Sequence, residues 1–224
     1  MRVRRLLAAV ISTALVAPMA SLVATSASPA SAATATRIVS AYAERPFIYS
    51  VSSPLEFGDS LSAGINVVDP AGNQVFDGSL TLQRQLAGQS SWTTVATSST
   101  AYMYESVKAA GNATYRVLYS GDATYAASSA AIAVKVQRKI EIGGLTGRKA
   151  GFKGKVKPKD KTKITVLKKQ GKKYKKFKAL KSNKKGRFSM VLPAPRNGRF
   201  HWKIVFKGSR KFASSTIKGS TYRL

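Results

Sequence analysis

Apolar and polar residues alternate with a period of two along much of the chain. Leu61, Ala63, Ile65 and Val67 alternate with Ser62, Gly64 and Asn66, which predicts a strand with one buried face. Leu80 and Leu82, residues 92–95 and Tyr102-Met103-Tyr104 mark three more strands. Tyr115, Val117 and Tyr119, then Ile132, Val134 and Val136, mark two further ones. Asp69-Pro70-Ala71-Gly72 is turn chemistry, because proline fixes φ and glycine tolerates positive φ. Turns recurring every 8–12 residues or so, without a helical period, predict an all-β sandwich or barrel.

The second half of the chain repeats the first. Tyr115-Arg116-Val117-Leu118-Tyr119-Ser120-Gly121-Asp122-Ala123-Thr124-Tyr125 matches Trp202-Lys203-Ile204-Val205-Phe206-Lys207-Gly208-Ser209-Arg210-Lys211-Phe212 without a gap. Upstream, Val68-Asp69-Pro70 corresponds to Val156-Lys157-Pro158, Thr81-Leu82 to Thr165-Val166, and Trp92 and Val95 to Tyr174 and Phe177. A drifting offset between the copies is expected when only loops change length. The repeat predicts two domains of about 90 residues, over 44–136 and 137–224, after a flexible lead-in at 33–43. The join across Gln137-Arg138-Lys139 is short and holds no Gly/Ser or Pro-rich spacer. The domains are expected end to end with limited freedom.

These residues resemble a family. Gly111-Asn112-Ala113-Thr114-Tyr115-Arg116-Val117, continuing through Tyr119-Ser120-Gly121-Asp122-Ala123-Thr124-Tyr125, is similar to the late strands of bacterial immunoglobulin-like repeat domains. Such domains occur in tandem in secreted and surface proteins of high-GC Gram-positive bacteria. The resemblance implies two tandem immunoglobulin-like antiparallel β-sandwiches used for spacing, adhesion or ligand display, with no single ligand. It also places Tyr115 where the family has a corner tyrosine whose hydroxyl bonds back to the backbone. Trp202 fills that position in the second copy.

The first 32 residues read as a cleaved export signal. Arg2, Arg4 and Arg5 precede an apolar run over 6–16, and Ala30-Ser31-Ala32 fits the cleavage pattern. A secreted protein, extracellular or loosely associated with the cell wall, is expected. The absence of cysteine excludes disulfides and thiolate metal sites.

Charge then divides the two copies. Residues 33–136 carry a net charge of −1, whereas residues 137–224 carry +27. Residues 153–187 alone hold sixteen lysines and one arginine. Such asymmetry points to an electrostatic role for the second copy and carries no information about fold. In residues 200–207, Phe200, Trp202, Ile204 and Phe206 alternate with His201, Lys203 and Lys207, so the lysines decorate a sheet with an ordinary core. Tyr174, Phe177 and Leu180 at spacing three also fit a basic amphipathic helix for a membrane surface. Correspondence with the β-forming residues 91–95 favours strands, with hairpin turns at Gln170-Gly171-Lys172-Lys173 and Asn183-Lys184-Lys185-Gly186.

The candidate polyanion-binding residues are the hairpin lysines Lys172, Lys173, Lys175, Lys176 and Lys178, with Lys203, Lys207, Arg210 and Lys211 beside them. Lysine gives solvated point charges instead of bidentate forks, so diffuse recognition of low specificity follows. The expected partners are extracellular anionic polymers: wall phosphate polymers, anionic polysaccharide or nucleic acid, with a surface protein as a further partner. The alternative is a structural or adhesive spacer with no dedicated polyanion ligand.

No enzyme, cofactor or metal is expected. His201 is the only histidine and has no neighbouring carboxylate in sequence to orient it. Glu56, Asp59, Asp69 and Asp77 lack the dense spacing of a calcium loop. Asn112-Ala113-Thr114 fits a glycosylation acceptor, a short and weakly specific pattern.

Overall fold

Alternation in the sequence becomes alternation of burial in the computed structural model, which describes residues 32–145 and 149–222. The export signal expected over 1–32 lies, apart from Ala32, outside the described residues. Those residues form sixteen strands, paired antiparallel, and no helix.

In the first half, β3 (Ser60–Val68) turns Leu61, Ala63, Ile65 and Val67 into the core. It is flanked on one edge by β1 (Arg37–Ser40) and β2 (Ile48–Tyr49). On the other edge lie β7 (Tyr102–Lys108) and the two-residue β4 (Gln74–Val75). A second sheet runs β6 (Thr93–Ser98), β5 (Leu80–Leu86), β8 (Ala113–Tyr119), β9 (Ser128–Val134). Leu80, Leu82, Tyr115, Val117 and Tyr119 from this sheet join Leu61, Ile65 and Met103 in one buried cluster. The lead-in expected at 33–43 is not loose. Ile38 and Val39 give it an apolar strand sequence, and it becomes edge strand β1 with Ile38 packed on the core.

The second half has its own core. One sheet runs β10 (Lys139–Gly144), β11 (Gly151–Lys157), β14 (Arg187–Val191). The other runs β13 (Lys173–Lys181), β12 (Lys163–Gln170), β15 (Phe200–Phe206), β16 (Ser215–Thr221). Phe152, Val156, Phe188 and Met190 from the first sheet meet Ile164, Val166, Trp202, Ile204 and Phe206 from the second. Residues 168–185 are therefore strands and turns: the hairpin expected at 170–173 forms, whereas the turn at 183–186 closes no hairpin, because it carries the chain from β13 in one sheet to β14 in the other.

Two details recur in both halves. Each central hairpin carries an irregularity at the same place, between Leu82 and Gln83 in β5 and between Val166 and Leu167 in β12. Each also holds a cation over an aromatic ring: Arg116 lies 4.1 Å from the Trp92 centroid and Lys203 lies 4.5 Å from that of Tyr174. The correspondence expected upstream is off by one residue. Val156 N–H donates to Gly186 O as Val67 N–H donates to Ala101 O, so Val67 is its equivalent and Val68 is not. A one-residue slip exchanges the faces of a strand, which places Lys153 and Lys155 at the outward positions of Gly64 and Asn66.

The tyrosine whose hydroxyl bonds to the backbone is Tyr119, not Tyr115. Its O–H donates to Asp77 O at 2.9 Å, whereas Tyr115 Oη is buried without a hydrogen-bond partner among the described residues, as is Trp202 Nε1 in the second half. Burial, reinforced by the Asp122 carboxylate, pushes the Tyr119 pKa up to about 12. The fold thus favours the protonated phenol. That contribution is complete below the ordinary value near 10 and is lost as pH rises through about 12. Tyr119→Phe should cost about 1 kcal/mol at neutral pH. It should also flatten the fall in stability above pH 10, checked by denaturant melts at pH 7 and pH 11.

Residues Ala33–Leu224 cluster as one compact unit, and the loop between β15 and β16 shows why. Phe212, only 5% exposed, stacks edge-on against Phe57 at 6.1 Å, with the Arg138 guanidinium 4.6 Å from its centroid. Asn112, also buried, accepts from Val136 N–H through Oδ1 and donates from Nδ2 to Arg210 O. Its backbone N–H donates to Lys211 O. The short join therefore works with a built-in plug. The bond to Arg210 O uses the Asn112 side-chain nitrogen, Nδ2, that glycosylation would require.

Candidate polyanion-binding face

Side chains on β12, β13, β15 and β16 divide by register. Ile164, Val166, Trp202, Ile204 and Phe206 point to the core, so Lys163, Thr165, Leu167, Lys169, Lys203 and Val205 stand on the outward face. Cross-strand pairing extends that face. Lys181 stands opposite Lys163, Ala179 opposite Thr165, Lys176 opposite Leu167 and Tyr174 opposite Lys169. On the other side, Leu167 pairs with Lys203, and Lys203 with Lys218. One rung across the sheet therefore reads Lys176, Leu167, Lys203, Lys218. Neighbouring strands lie about 4.8 Å apart, and like charges directly opposite destabilise the pair that carries them. Six lysines share the face with no carboxylate. The two acidic residues of the second half are engaged elsewhere: Asp160 with Arg138 at 3.4 Å and Glu141 with Lys157 at 2.7 Å.

The structure separates the candidate residues that the sequence groups together. Lys176 and Lys203 are on the outward face. Lys172 and Lys173 form the exposed hairpin end, and Lys175 and Lys178 stand exposed on edge strand β13, opposite Lys168 and Val166. Lys207, Arg210 and Lys211 are also exposed, but they lie beyond Phe206, at the opposite end of β15 from the hairpin. A strand of that length separates the ends by about 20 Å, so these three do not sit beside the hairpin. The Arg210 stem instead lies over Gly88 of the first half, about where a Cβ would meet it at 3.0 Å.

Lys163, Lys169, Lys181 and Lys218 complete the face and were not singled out by sequence reasoning. Strict alternation from the buried Ile164 was the signal that could have found Lys163 and Lys169, whereas Lys181 and Lys218 join the face only through cross-strand register. The first half supplies an internal comparison. At the positions of Lys169, Lys176, Lys203 and Lys218 it carries Gln85, Thr94, Arg116 and Ala131, as the paired registers show. Scaffold and pairing are kept, while charge is added.

A second surface was also missed. On the outer side of β3 and β7, Tyr102 and Tyr104 are exposed, and the Tyr42 ring lies over Gly64, where a Cβ would approach it to 2.5 Å. Tyr42 meets Tyr49 and Tyr104 edge-on at 5.4 and 6.2 Å. These contacts join residues distant in sequence.

His201 is exposed opposite Ser220. Among the described residues no group of three His, Cys, Asp or Glu side chains comes together. Comparison with protein-family models finds no match for this chain, and comparison with curated proteins finds no similar one.

Proposed function

We propose that the protein is a secreted, non-enzymatic binding module of two tandem immunoglobulin-like sandwiches, whose second copy associates electrostatically with extracellular anionic polymers. Wall phosphate polymers, anionic polysaccharide and nucleic acid share the required chemistry, a chain of closely spaced negative charges. The observation that carries this reading is the contrast between copies. Equivalent outward positions hold Gln85, Thr94, Arg116 and Ala131 in one and four lysines in the other. A sandwich does not need those lysines to fold, because the first half folds without them. They repel one another at a spacing below the Debye length of about 8 Å, and a bound polyanion relieves that repulsion. Tyr174, the aromatic residue on the face, is covered by Lys203, so recognition through charge without base stacking is favoured.

The test compares two sets of four neutralised cations in the full chain. Lys169→Gln, Lys176→Gln, Lys203→Gln and Lys218→Gln together should weaken binding of linear polyphosphate about a hundredfold or more, at roughly 1 kcal/mol for each lysine near an anionic surface. Lys172→Gln, Lys173→Gln, Lys207→Gln and Lys211→Gln should cost much less. Equal losses from both sets would remove the face as the site.

A second reading rests on the tyrosine surface of the first half. An exposed aromatic patch on a near-neutral sheet suits contact with a surface protein, which would make the protein an adhesive spacer. Adhesion that survives both lysine sets and is lost in Tyr104→Ser would favour it.

A further inference from the structure

The lysine face is not the only cationic sheet of the second half. On β10, β11 and β14 the core takes Phe152, Val156, Phe188 and Met190, so Lys153, Lys155, Lys157 and Arg187 stand on the outside. Lys155 is paired directly with Arg187, and Lys157 with Lys139. Two carboxylates reach this side: Glu141 contacts Lys157 at 2.7 Å, and Asp59 of the first half approaches Lys139 at 3.9 Å. Among the described residues Lys153 and Arg187 make no ion pair, while Lys155 stands opposite Glu141, whose carboxylate is held by Lys157. The first half again shows the addition: the positions of Lys153, Lys155 and Arg187 correspond to Gly64, Asn66 and Tyr102, which pair in the same order there.

The two charged faces belong to opposite sheets of one sandwich. Packed sheets lie about 10 Å apart, and outward side chains extend further, so the charge layers are separated by more than the Debye length of about 8 Å. Of the six lysines on the first face, Lys181 at the β13 edge lines a cavity together with Lys153, Lys155 and Arg187; Lys176, Lys203 and Lys218 lie on the far side of the sandwich from them. We propose that the β10–β11–β14 face is a second polyanion site, and that the protein joins two anionic chains back to back. This rests on the polyanion reading above and adds a function to it, cross-bridging of polymer chains. Arg187 gives this face a planar fork suited to a phosphate or sulfate oxygen pair, which the lysine face lacks.

The test uses linear polyphosphate of two lengths with the full chain at low salt. A short form, no longer than the roughly 20 Å of one strand, should bind with a stoichiometry of two per protein in calorimetric titration. A long form should give turbidity that peaks near charge balance and clears in excess polymer. Lys153→Gln, Lys155→Gln and Arg187→Gln together should reduce the stoichiometry to one and abolish turbidity, while leaving tight binding at the other face. Circular dichroism checks that this variant is folded. One short chain per parent molecule, or turbidity unchanged in the variant, would overturn the second site and leave the first intact. No binding of either length would overturn both.

Discussion

Phe212→Ala should lower stability by about 3–5 kcal/mol, as for other large-to-small changes at buried aromatics. The ring is 5% exposed and lies between Phe57 of the first half and the Arg138 guanidinium. Arg138 is itself buried and reaches Asp160 at 3.4 Å, with its Nε lacking a partner among the described residues. Removing the ring therefore creates a cavity and strips cover from a buried cation. Because Phe212 is the plug between halves, its loss should also change how the protein melts. The parent is expected to unfold in one calorimetric transition and the variant in two, one for each core. Asn112→Ala attacks the same joint by leaving Val136 N–H and Arg210 C=O unpaired, and should act in the same direction. A Phe212→Ala protein that loses less than about 1 kcal/mol and keeps a single transition would show that the halves are not coupled there.

The second large effect is a reversal in how salt acts on stability. Without polymer, raising salt should raise Tm, because screening relieves repulsion among lysines such as Lys203 and Lys218. With polyphosphate at about a hundred times its dissociation constant, linkage adds about 2.7 kcal/mol. For a chain of this size that is roughly 5–10 °C in Tm. Salt should then lower Tm as it releases the polymer, and the two curves should converge at high salt. Parallel curves with and without polymer would mean that no polyanion binds the native state.

Much of this was legible along the chain. Alternation at Leu61, Ala63, Ile65 and Val67 and at Trp202, Ile204 and Phe206 located strands and core, since burial of one sheet face leaves a period-two trace. What escaped was non-local. Register between strands decides that Lys218 stands beside Lys203, and that Lys211 lies a strand's length from Lys173. Neither fact has a trace in spacing along the chain. The equivalence of Val156 with Val67 turned on a single hydrogen bond, and aligning like with like pointed one residue too far. The Tyr42 and Tyr104 surface depends on the missing side chain of Gly64. Arg210 and Lys211 were chosen for their charge, yet their carbonyls serve the joint with Asn112. Local pattern reports which face a residue takes, and only packing reports its neighbours.

The most direct measurement is the dependence of polyphosphate affinity on salt for the parent chain and for the variant neutralised at Lys169, Lys176, Lys203 and Lys218. Binding that engages these lysines should make log K fall linearly with log salt, at about 0.7–0.9 for each charge contact. The variant's slope should be shallower by about 3. A shallow slope in the parent, or an equal slope in the variant, would contradict binding through this face.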